Sequence, residues 1–491
     1  MDRLMIVLIL LALAAWAWSE PLDKAKLTAD YQAADAASKE GKGLSESADS
    51  GTLGWGEASY LRNYSRMWLV THDIYWLEKI EDHFTRIIAN ATDPDGDGFL
   101  GWQTPTYSAA VYWALPLHNR GTATIEPGFF KEMGKLNAEV TGHVYVLSFE
   151  EAASFSVWDQ TTRQRVAEKQ AYTPGAVITA IPGCKVKISG ETAVGDRFMV
   201  RTLKPEPTEF AVHEGMIAYP VAVFIEAVKQ DPKLQERFGA SADKFLQFIN
   251  QHMLRKHEYD WLTLTPQPAL PAVAAGGGTA GGVQAPALQN GGAAVAQMGA
   301  WRFRDLITDR YPNRIMPHNQ YLALARAFLV LKDVPGADPL MGQRAEQMAR
   351  FFRASLIEQE AAFTWHYWDW LEEGKPDHSG FEDTSHGTID VGFAAEAAMR
   401  GVVFTEADMK RFTRTVLDLM WNQSEEEPKL GPNCATRGDK FSFVMSDWVD
   451  LCRWEPKIYE LALKTYAPKM SATSAPLMLR AESLCGTAGQ K

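Results

Sequence analysis

Apolar and charged residues recur along much of the chain at helical spacing, and the stretches that show this spacing come in pairs. The first stretch of each pair is apolar or aromatic on more than one face, which is typical of a helix buried on both sides. The second alternates charged and apolar residues, which is typical of a helix exposed on one side. The first members are 57–70, 213–228, 318–331, 386–400 and 441–454, and their partners are 74–90, 242–255, 343–358, 406–421 and 457–466.

Paired helices of this kind bury their apolar faces most economically by stacking side by side, with an inner and an outer layer. Ser241 and Thr405 precede two of the outer members and are suitable N-caps. The pattern therefore predicts a mainly α fold, an (α/α)n toroid or barrel with n of about six or seven and a small β-sheet insertion. Helical toroids can exceed the usual domain size, so we predict one catalytic domain over residues 20–491.

Two segments depart from the helical pattern. Residues 140–203 contain short runs of β-formers separated by glycine turns, which predicts a β-rich insertion. Such an insertion can serve as a lid, a cleft wall or an accessory binding element, or it can pack without touching a ligand. Residues 265–298 are rich in Gly, Ala, Pro and Gln and lack apolar periodicity, which predicts a flexible loop.

The first residues have the pattern of a secretory signal peptide. Arg3 supplies the positive charge, 4–16 the apolar stretch, and Ala17 to Ser19 the small-x-small cleavage pattern. The apolar run is short for a bilayer span, and we expect no later stretch of the chain to be long enough to cross a membrane. We predict a signal peptide over 1–19, a secreted or periplasmic mature chain, and no membrane partner after cleavage.

Composition and charge narrow the function. Hydrophobic residues make up 46% and charged residues 22% of the 491, as in ordinary globular proteins. The net charge of −12 argues against nucleic acid as a partner, because phosphate binding needs a basic surface. It also weakens the case for a polyanionic ligand, although residues 302–318 form a basic-leaning stretch. The oligomeric state is not indicated.

Cysteine is too sparse for a disulfide scaffold. The chain has 4 cysteines, and an oxidising compartment would permit one bridge. Cys434 and Cys452 are the pair to test, with buried free thiols as the equal alternative.

Histidine recurs at the predicted starts of the inner helices. His213, His318 and His386 occupy equivalent positions, and the starts of inner helices converge at one end of such a fold. A single histidine there usually caps or packs, but the recurrence predicts that at least one of them acts in a site. Aromatic residues accompany them, and 16 Trp and 15 Tyr supply flat faces of the kind that stack on sugar rings.

Three segments carry a resemblance to a known family: YPNRIMPHNQY at 311–321, FEDTSHGTIDVGFAAEA at 381–397 and DPDGDGFLGW at 93–102. They resemble helical-toroid polysaccharide lyases, most closely polysaccharide lyase family 38, which includes alginate and glucuronan lyases. The resemblance implies β-elimination from a uronic acid in an acidic polysaccharide. That reaction needs a base, an acid for the leaving oxygen, and groups that neutralise the carboxylate.

The resemblance assigns roles to particular residues. It implies Tyr321 as base and acid, with Asn319, His213 and His386 neutralising the carboxylate or moving protons. Because Asn319 and Tyr321 are two positions apart, they share a site only if the helix begins between them, and Tyr367 is the substitute base. The candidate substrate-binding residues are polar or aromatic: Arg314, His318, Trp365, His366, Tyr367, Glu214, Glu382, Tyr64 and Trp102.

Other functions stay open on the same residues. Two carboxylates across a cleft would suit a glycoside hydrolase, and the same proton abstraction begins a uronate epimerase reaction. A non-catalytic glycan-binding protein would use the aromatic residues alone.

A metal is considered only at one loop. Asp93, Asp95 and Asp97 are spaced like the start of a calcium loop, but position twelve is Thr104 instead of the bidentate Glu. The sequence thus predicts no required cofactor, with structural calcium as one interpretation of this loop and a polar turn as the other.

Overall fold

The structure is a computed structural model that describes residues 22–93, 95–104, 108–133, 139–204, 206–264, 297–309, 311–368, 380–443 and 446–487. The predicted signal peptide and nearly all of the predicted Gly/Ala-rich loop lie outside the described residues.

The α-helices alternate between long apolar and amphipathic segments. In chain order they are α1 (Lys24–Ala37), α2 (Ala58–Thr71), α3 (Ile74–Ala89), α4 (Ala211–Gln230), α5 (Pro232–Phe248), α6 (His318–Leu331), α7 (Pro339–Ser355), α8 (Gly387–Met399), α9 (Glu406–Arg414), α10 (Lys457–Tyr466) and α11 (Ala475–Thr487). Shorter pieces are the α-turn Ser50–Thr52, the π-helical segments Leu53–Glu57, Ile249–Leu254 and Thr415–Met420, and the 3₁₀ segments Ser38–Gly41, Lys256–Asp260, Ser446–Arg453 and Ala467–Lys469.

Aspartate caps begin most of the amphipathic helices. Asp231 and Asp338 each accept a hydrogen bond from a first-turn amide, and a proline follows each of them at the first helical position. Thr405 forms a capping box with Asp408, which confirms the predicted start of α9. Ser241, by contrast, lies inside α5, because that helix begins at the stronger Asp-Pro signal ten residues earlier.

The inner helices pack against one another in a cyclic order. α2 packs on α4, α4 on α6, α6 on α8, and α8 on the Ser446–Arg453 segment, which contacts α11, and α11 packs on α2. The amphipathic helices α3, α5 and α7 cover α2, α4 and α6 from outside. The main hydrophobic core lies between these layers.

In the described part of the chain, the strands form five sheets. They are β1 (Ala109–Pro116), β2 (Thr124–Glu126), β3 (Phe129–Met133), β4 (Val144–Glu151), β5 (Ser154–Asp159), β6 (Gln164–Ala171), β7 (Val177–Ile178), β8 (Val186–Ser189), β9 (Arg197–Leu203), β10 (Trp261–Leu264), β11 (Met298–Trp301), β12 (Ile357–Gln359), β13 (Ala362–Thr364), β14 (Lys429–Leu430) and β15 (Phe441–Ser442).

The largest sheet is antiparallel and has six strands in the order β3-β1-β9-β4-β5-β6. Beside it lies a three-stranded sheet in the order β2-β8-β7. Alternate residues of these strands, among them Tyr112, Tyr145, Leu147 and Phe198, form a second hydrophobic core of their own. The remaining sheets are two-stranded pairs between helices.

The predicted mainly α toroid is wrong as a fold class, because the described chain is a mixed α/β protein. Strands begin at Ala109, well before the predicted 140–203 insertion, and they build a sheet region with its own core. The last predicted inner helix, 441–454, instead contains β15 and a 3₁₀ segment. The sequence did not reveal these strands, because the first four residues of β1 are all buried and show no apolar-polar alternation, and β2 and β3 are only 3 and 5 residues long.

α4 is the described helix that is long and apolar enough, by length and composition, to cross a bilayer. The prediction that no segment after the signal peptide reaches this length is therefore wrong. Its apolar window is 78% buried inside the protein, which is expected for a core helix flanked by α2 and α6.

The four cysteines are buried free thiols. The Cys434 thiol donates to the carbonyl of Trp365, and the Cys452 thiol donates to the carbonyl of Ala481, each over 3.3 Å. The structure thus shows the free-thiol alternative and not a Cys434–Cys452 bridge.

A buried aspartate joins the inner helices. The Asp447 carboxylate is 2.6 Å from Arg66 Nη2, 2.5 Å from Arg326 Nη1 and 3.7 Å from Arg62 Nη1. Its amide donates to Thr388 Oγ1 of α8 over 2.8 Å. Burial by itself would raise the pKa of Asp447, but the guanidinium charges outweigh burial and hold that pKa well below its usual range.

We expect Asp447→Asn to lower the free energy of unfolding by about 3–5 kcal/mol, because it leaves buried guanidinium groups without a full counter-charge. Asp418→Asn is the matched control, since Asp418 pairs with Arg414 at the surface and should cost less than about 1 kcal/mol. Urea denaturation followed by circular dichroism measures both. Equal losses in the two variants would contradict the central role of Asp447.

α4 and α6 approach each other unusually closely at Gly215. A Cβ placed on Gly215 would lie 2.1 Å from the backbone nitrogen of Leu324 and 2.3 Å from the carbonyl carbon of Ala323. Only glycine allows the two backbones to meet at this distance.

We expect Gly215→Ala to destabilise the chain by at least about 1–3 kcal/mol, because backbone atoms must move to admit the methyl group. Gly239→Ala is the control: Gly239 lies inside α5, where a Cβ meets only the flexible Gln235 side chain at 3.4 Å, and alanine there should stabilise by about 0.5–1 kcal/mol. Thermal unfolding of both variants gives the comparison. A Gly215→Ala variant as stable as the parent would refute the close approach.

Candidate functional site

The starts of α4 and α8 meet beside a partly exposed tryptophan. The Trp55 ring lies edge-on to the His213 ring at a centroid distance of 5.3 Å and to the His386 ring at 6.4 Å. The Tyr367 ring lies 5.6 Å from the His386 ring. Together with Asp383, these residues form what we call the aromatic–histidine cluster. Trp55 is 41% exposed, so a ligand can reach its ring from solvent.

Local structure fixes Trp55 and His213 against each other. Trp55 lies in the π-helical segment Leu53–Glu57, and its neighbour Gly54 packs on the backbone of α4, where a Cβ would meet His213 Cα at 2.6 Å. His213 Nδ1 is 3.0 Å from Ser50 Oγ. Burial lowers the pKa of His213 to about 4, and the charge of Asp49 opposes this only in part. The ring is therefore neutral at neutral pH.

Asp383 and His386 form an ion pair at the start of α8. His386 Nδ1 donates to Asp383 Oδ2 over 2.5 Å, and the other carboxylate oxygen accepts the amides of Ser385 and His386 at 2.9 and 3.0 Å. The hydrogen bond to Asp383 raises the pKa of His386. Burial would raise the pKa of Asp383, but the bonds from His386 and Ser385 hold it well below its usual range.

Two carboxyl groups lie buried behind this pair. Glu382 and Asp390 are both 0% exposed. Trp365 Nε1 donates to Asp390 Oδ2 over 2.9 Å, and the Asp383 amide donates to Glu382 Oε1 over 3.1 Å. Glu382 Oε2 and Asp390 Oδ1 receive no donor from the described residues.

The two acids titrate as a pair. Burial, followed by repulsion from Asp390, raises the pKa of Glu382 well above its usual value, and burial raises the pKa of Asp390 to about 6. A negative charge on Asp390 therefore disfavours ionisation of Glu382.

The predicted catalytic residues on α6 lie in the core. Tyr321 is fully buried, its hydroxyl is 2.5 Å from His318 Nδ1, and its ring stacks on Phe351 at 5.8 Å. His318 and Tyr321 are three positions apart and share one helix face, which points between α6 and α7. Asn319 is also buried. The structure brings His213 and His386 to one cluster and turns Tyr321 away from it.

Several predicted binding residues have interior contacts instead. Glu214 is buried 2.8 Å from Lys256 Nζ and 2.9 Å from His257 Nε2. Tyr64 donates to Asp35 over 2.5 Å, and Trp102 donates to the carbonyl of Ile87 over 3.0 Å. Aromatic residues at helical spacing mark core positions as readily as binding positions, so the sequence alone did not separate the two.

The 365–368 segment lies beside the site. Trp365 is buried beneath the site, where its ring nitrogen donates to Asp390. The His366 ring stacks on the partly exposed Phe381 ring at a centroid distance of 5.0 Å. A β-bridge between His366 and Phe381 keeps Tyr367 next to His386. Arg314 is exposed on the preceding loop.

The predicted calcium loop is held by an arginine. Asp93 accepts the amides of Asp97 and Gly98 at 3.1 and 3.0 Å, while Arg304 pairs with Asp95 and, at 3.1 Å, with Asp97. The three carboxylates lie within 4.8 Å of one another. Arg304 already supplies positive charge there, which favours the polar-turn interpretation, and calcium binding at this loop stays a prediction.

Sequence reasoning left two features of the site undecided: the pairing of Asp390 with Glu382 and the exposure of Trp55. Glu382 precedes the first residue of α8, Gly387, and Asp390 lies in the first turn of that helix, so the fold and not helical spacing brings the two carboxyl groups together. Trp55 lies between Gly54 and Gly56, and a Cβ on either glycine would clash, with His213 and with Leu44 respectively.

Comparison with known proteins gives little support for any relationship. No family model matches the chain, and no curated protein matches it. Similar solved structures include the Xanthomonas campestris FlgL in space group H3, at 15% identity over 47% of this chain and 86% of that one, with a TM-score of 0.16. Another is the flagellar junction protein FlgL from Legionella pneumophila, at 14% identity over 50% and 90%, with a TM-score of 0.16. Likeness at these TM-scores carries no argument about fold or role.

The predicted membership of polysaccharide lyase family 38 is wrong on these findings, since no family model and no curated protein links the chain to a lyase family. Three linked predictions are wrong as well: the enzyme class, the lyase activity on alginate or glucuronan, and the acidic polysaccharide partner. The geometry gives a physical reason, because the proposed base Tyr321 is sealed in the core with its hydroxyl on His318. Export of the chain stays a prediction, because residues 1–19, the predicted signal peptide, lie outside the described residues.

We expect acid to destabilise the parent chain relative to His213→Asn. The folded-state pKa of His213 is lowered to about 4, so the stability contributed by the neutral ring is present above the unfolded pKa of about 6.5 and is lost as the pH falls towards 4. Between pH 7 and pH 4, the unfolding free energy of the parent should fall by roughly 2–3 kcal/mol more than that of His213→Asn. Denaturant melts at several pH values measure it.

His72→Asn is the control, because His72 has an exposed side chain in the left-handed C-cap of α2, a position that asparagine tolerates. A shift of the same size in both variants would show that burial of His213 is not the cause.

Proposed function

We propose that the chain is a secreted or periplasmic binding protein for an uncharged, hydroxylated ring compound such as a neutral sugar unit. The aromatic–histidine cluster is the binding site. The observation that carries this proposal is the 41% exposed ring of Trp55 set against two histidines. A flat indole face suits the C–H face of a sugar ring, while polar groups beside it hydrogen-bond the hydroxyl groups.

The polar groups around Trp55 include both hydrogen-bond donors and hydrogen-bond acceptors. His386 and the Tyr367 hydroxyl can donate, and Asp383 can accept in addition to its bond with His386. Hydroxyl groups of a sugar both donate and accept, so such a mixed set suits them.

Local charge opposes an acidic ligand. Asp383 is ionised and is balanced by His386, while the buried Glu382–Asp390 pair retains part of its negative charge. His213, being neutral, adds no positive charge. A uronate carboxylate placed here would meet net negative charge in a partly desolvated site, whereas a neutral ring would not.

We expect Trp55→Ala to weaken binding of the best neutral glycan by about threefold to tenfold, because stacking contributes roughly 0.5–1.5 kcal/mol beyond burial. A glycan array selects the ligand, and calorimetry gives Kd for the parent and the variant. Trp158→Ala is the control: Trp158 is a half-buried tryptophan of β5 that stacks on Arg165 at 4.6 Å, in the separate sheet region.

Retained affinity in Trp55→Ala, or loss of equal size in Trp158→Ala, would contradict the proposed site. Tighter binding of uronans than of neutral glycans would contradict the proposed ligand class.

A further inference from the structure

We propose that Glu382, Asp383 and His386, backed by Asp390, form a binding site for a divalent transition-metal cation at the start of α8. The proposal does not rest on sugar binding, although it shares Asp383 and His386 with the aromatic–histidine cluster.

The first support is geometric. One ligand atom from each of Glu382, Asp383 and His386 lies within 4.8 Å of the other two. Ligands bound to one ion at about 2.1 Å each lie no more than about 4.2 Å apart. Side-chain shifts of a few tenths of an ångström therefore bring the three atoms onto one cation.

The second support is an unmet need for positive charge in the interior. Glu382 is 0% exposed, and its Oε2 atom receives no hydrogen bond from the described residues. The same holds for Oδ1 of Asp390, which lies behind it. A buried carboxylate oxygen without a donor is costly, and a cation held between Glu382 and the Asp383–His386 pair would satisfy the Glu382 carboxylate.

The donor set selects the kind of metal. One imidazole nitrogen with carboxylate oxygens suits Mn²⁺, Fe²⁺ or Zn²⁺, whereas Ca²⁺ and Mg²⁺ prefer oxygen alone. Outer contacts already orient the ligands: Trp365 Nε1 holds Asp390, and the amides of Ser385 and His386 hold Asp383. Such contacts are typical supports of a metal site.

The second acidic cluster of the chain provides a contrast. Asp93, Asp95 and Asp97 also lie within 4.8 Å of one another, but Arg304 is paired with two of them, and all three are on the surface. A cation there would have to displace a guanidinium. This cluster is therefore the internal control for non-specific binding to carboxylates.

The test uses the full mature chain, stripped with a chelator and titrated separately with Mn²⁺, Zn²⁺ and Ca²⁺ by calorimetry. We expect one saturable site for Mn²⁺ or Zn²⁺ and at least tenfold weaker binding of Ca²⁺. His386→Asn should weaken the transition-metal site by at least tenfold, and Glu382→Gln should do the same while keeping the side-chain volume. Asp95→Asn should leave the affinity unchanged.

Cobalt gives a readout that is separate from affinity. Co²⁺ bound through His386 should show a visible absorption band whose position changes in His386→Asn. Circular dichroism confirms that each variant is folded. If His386→Asn does not fold, Glu382→Gln is used as the test variant in its place. The absence of a saturable Mn²⁺ or Zn²⁺ site in the parent chain would overturn the proposal, as would a site lost in Asp95→Asn and kept in His386→Asn. Trp55→Ala should keep the metal site, so failure of the sugar proposal and failure of this one are distinguishable.

Discussion

The carboxylate of Asp447 is the contact on which the helical part of the structure depends. Arg66 of α2 and Arg326 of α6 bind its two oxygens, and Thr388 of α8 accepts its amide hydrogen. Arg326 also donates to Tyr219 of α4. One buried anion thus joins helices that are far apart in the chain. Such a cluster is costly to desolvate, so it persists only where the geometry satisfies nearly every group.

That arrangement fixes the positions of the helix starts. With α4 and α6 in backbone contact at Gly215, and α8 held through Thr388, His213 and His386 come to lie on either side of Trp55. The same packing turns Tyr321 towards α7 and seals it. The site is therefore a product of how the helices pack, and its residues come from segments that are distant in the sequence.

Charge compensation distinguishes the buried acids from one another. Asp447 is ionised among guanidinium groups, and Asp383 is ionised beside His386. Glu382 Oε2 and Asp390 Oδ1 receive no hydrogen bond from the described residues, and burial raises the pKa of both acids. A bound metal cation can supply the positive charge that a buried acid lacks. The proposed metal site therefore lies at Glu382 and not at Asp447, which already has guanidinium partners.

The sequence by itself determined the local elements: Thr405 as a cap, the apolar inner helices and the strands of 144–203, because caps and periodicity depend on neighbouring residues. It misplaced the start of α5 and missed β1 to β3, where the local signal is weak. Tertiary structure alone decided that Tyr321, Tyr64 and Trp102 face the core while Trp55 faces solvent. It also paired Glu382 with Asp390. Side-chain facing and charge compensation depend on contacts between remote segments, and a linear pattern does not contain those contacts.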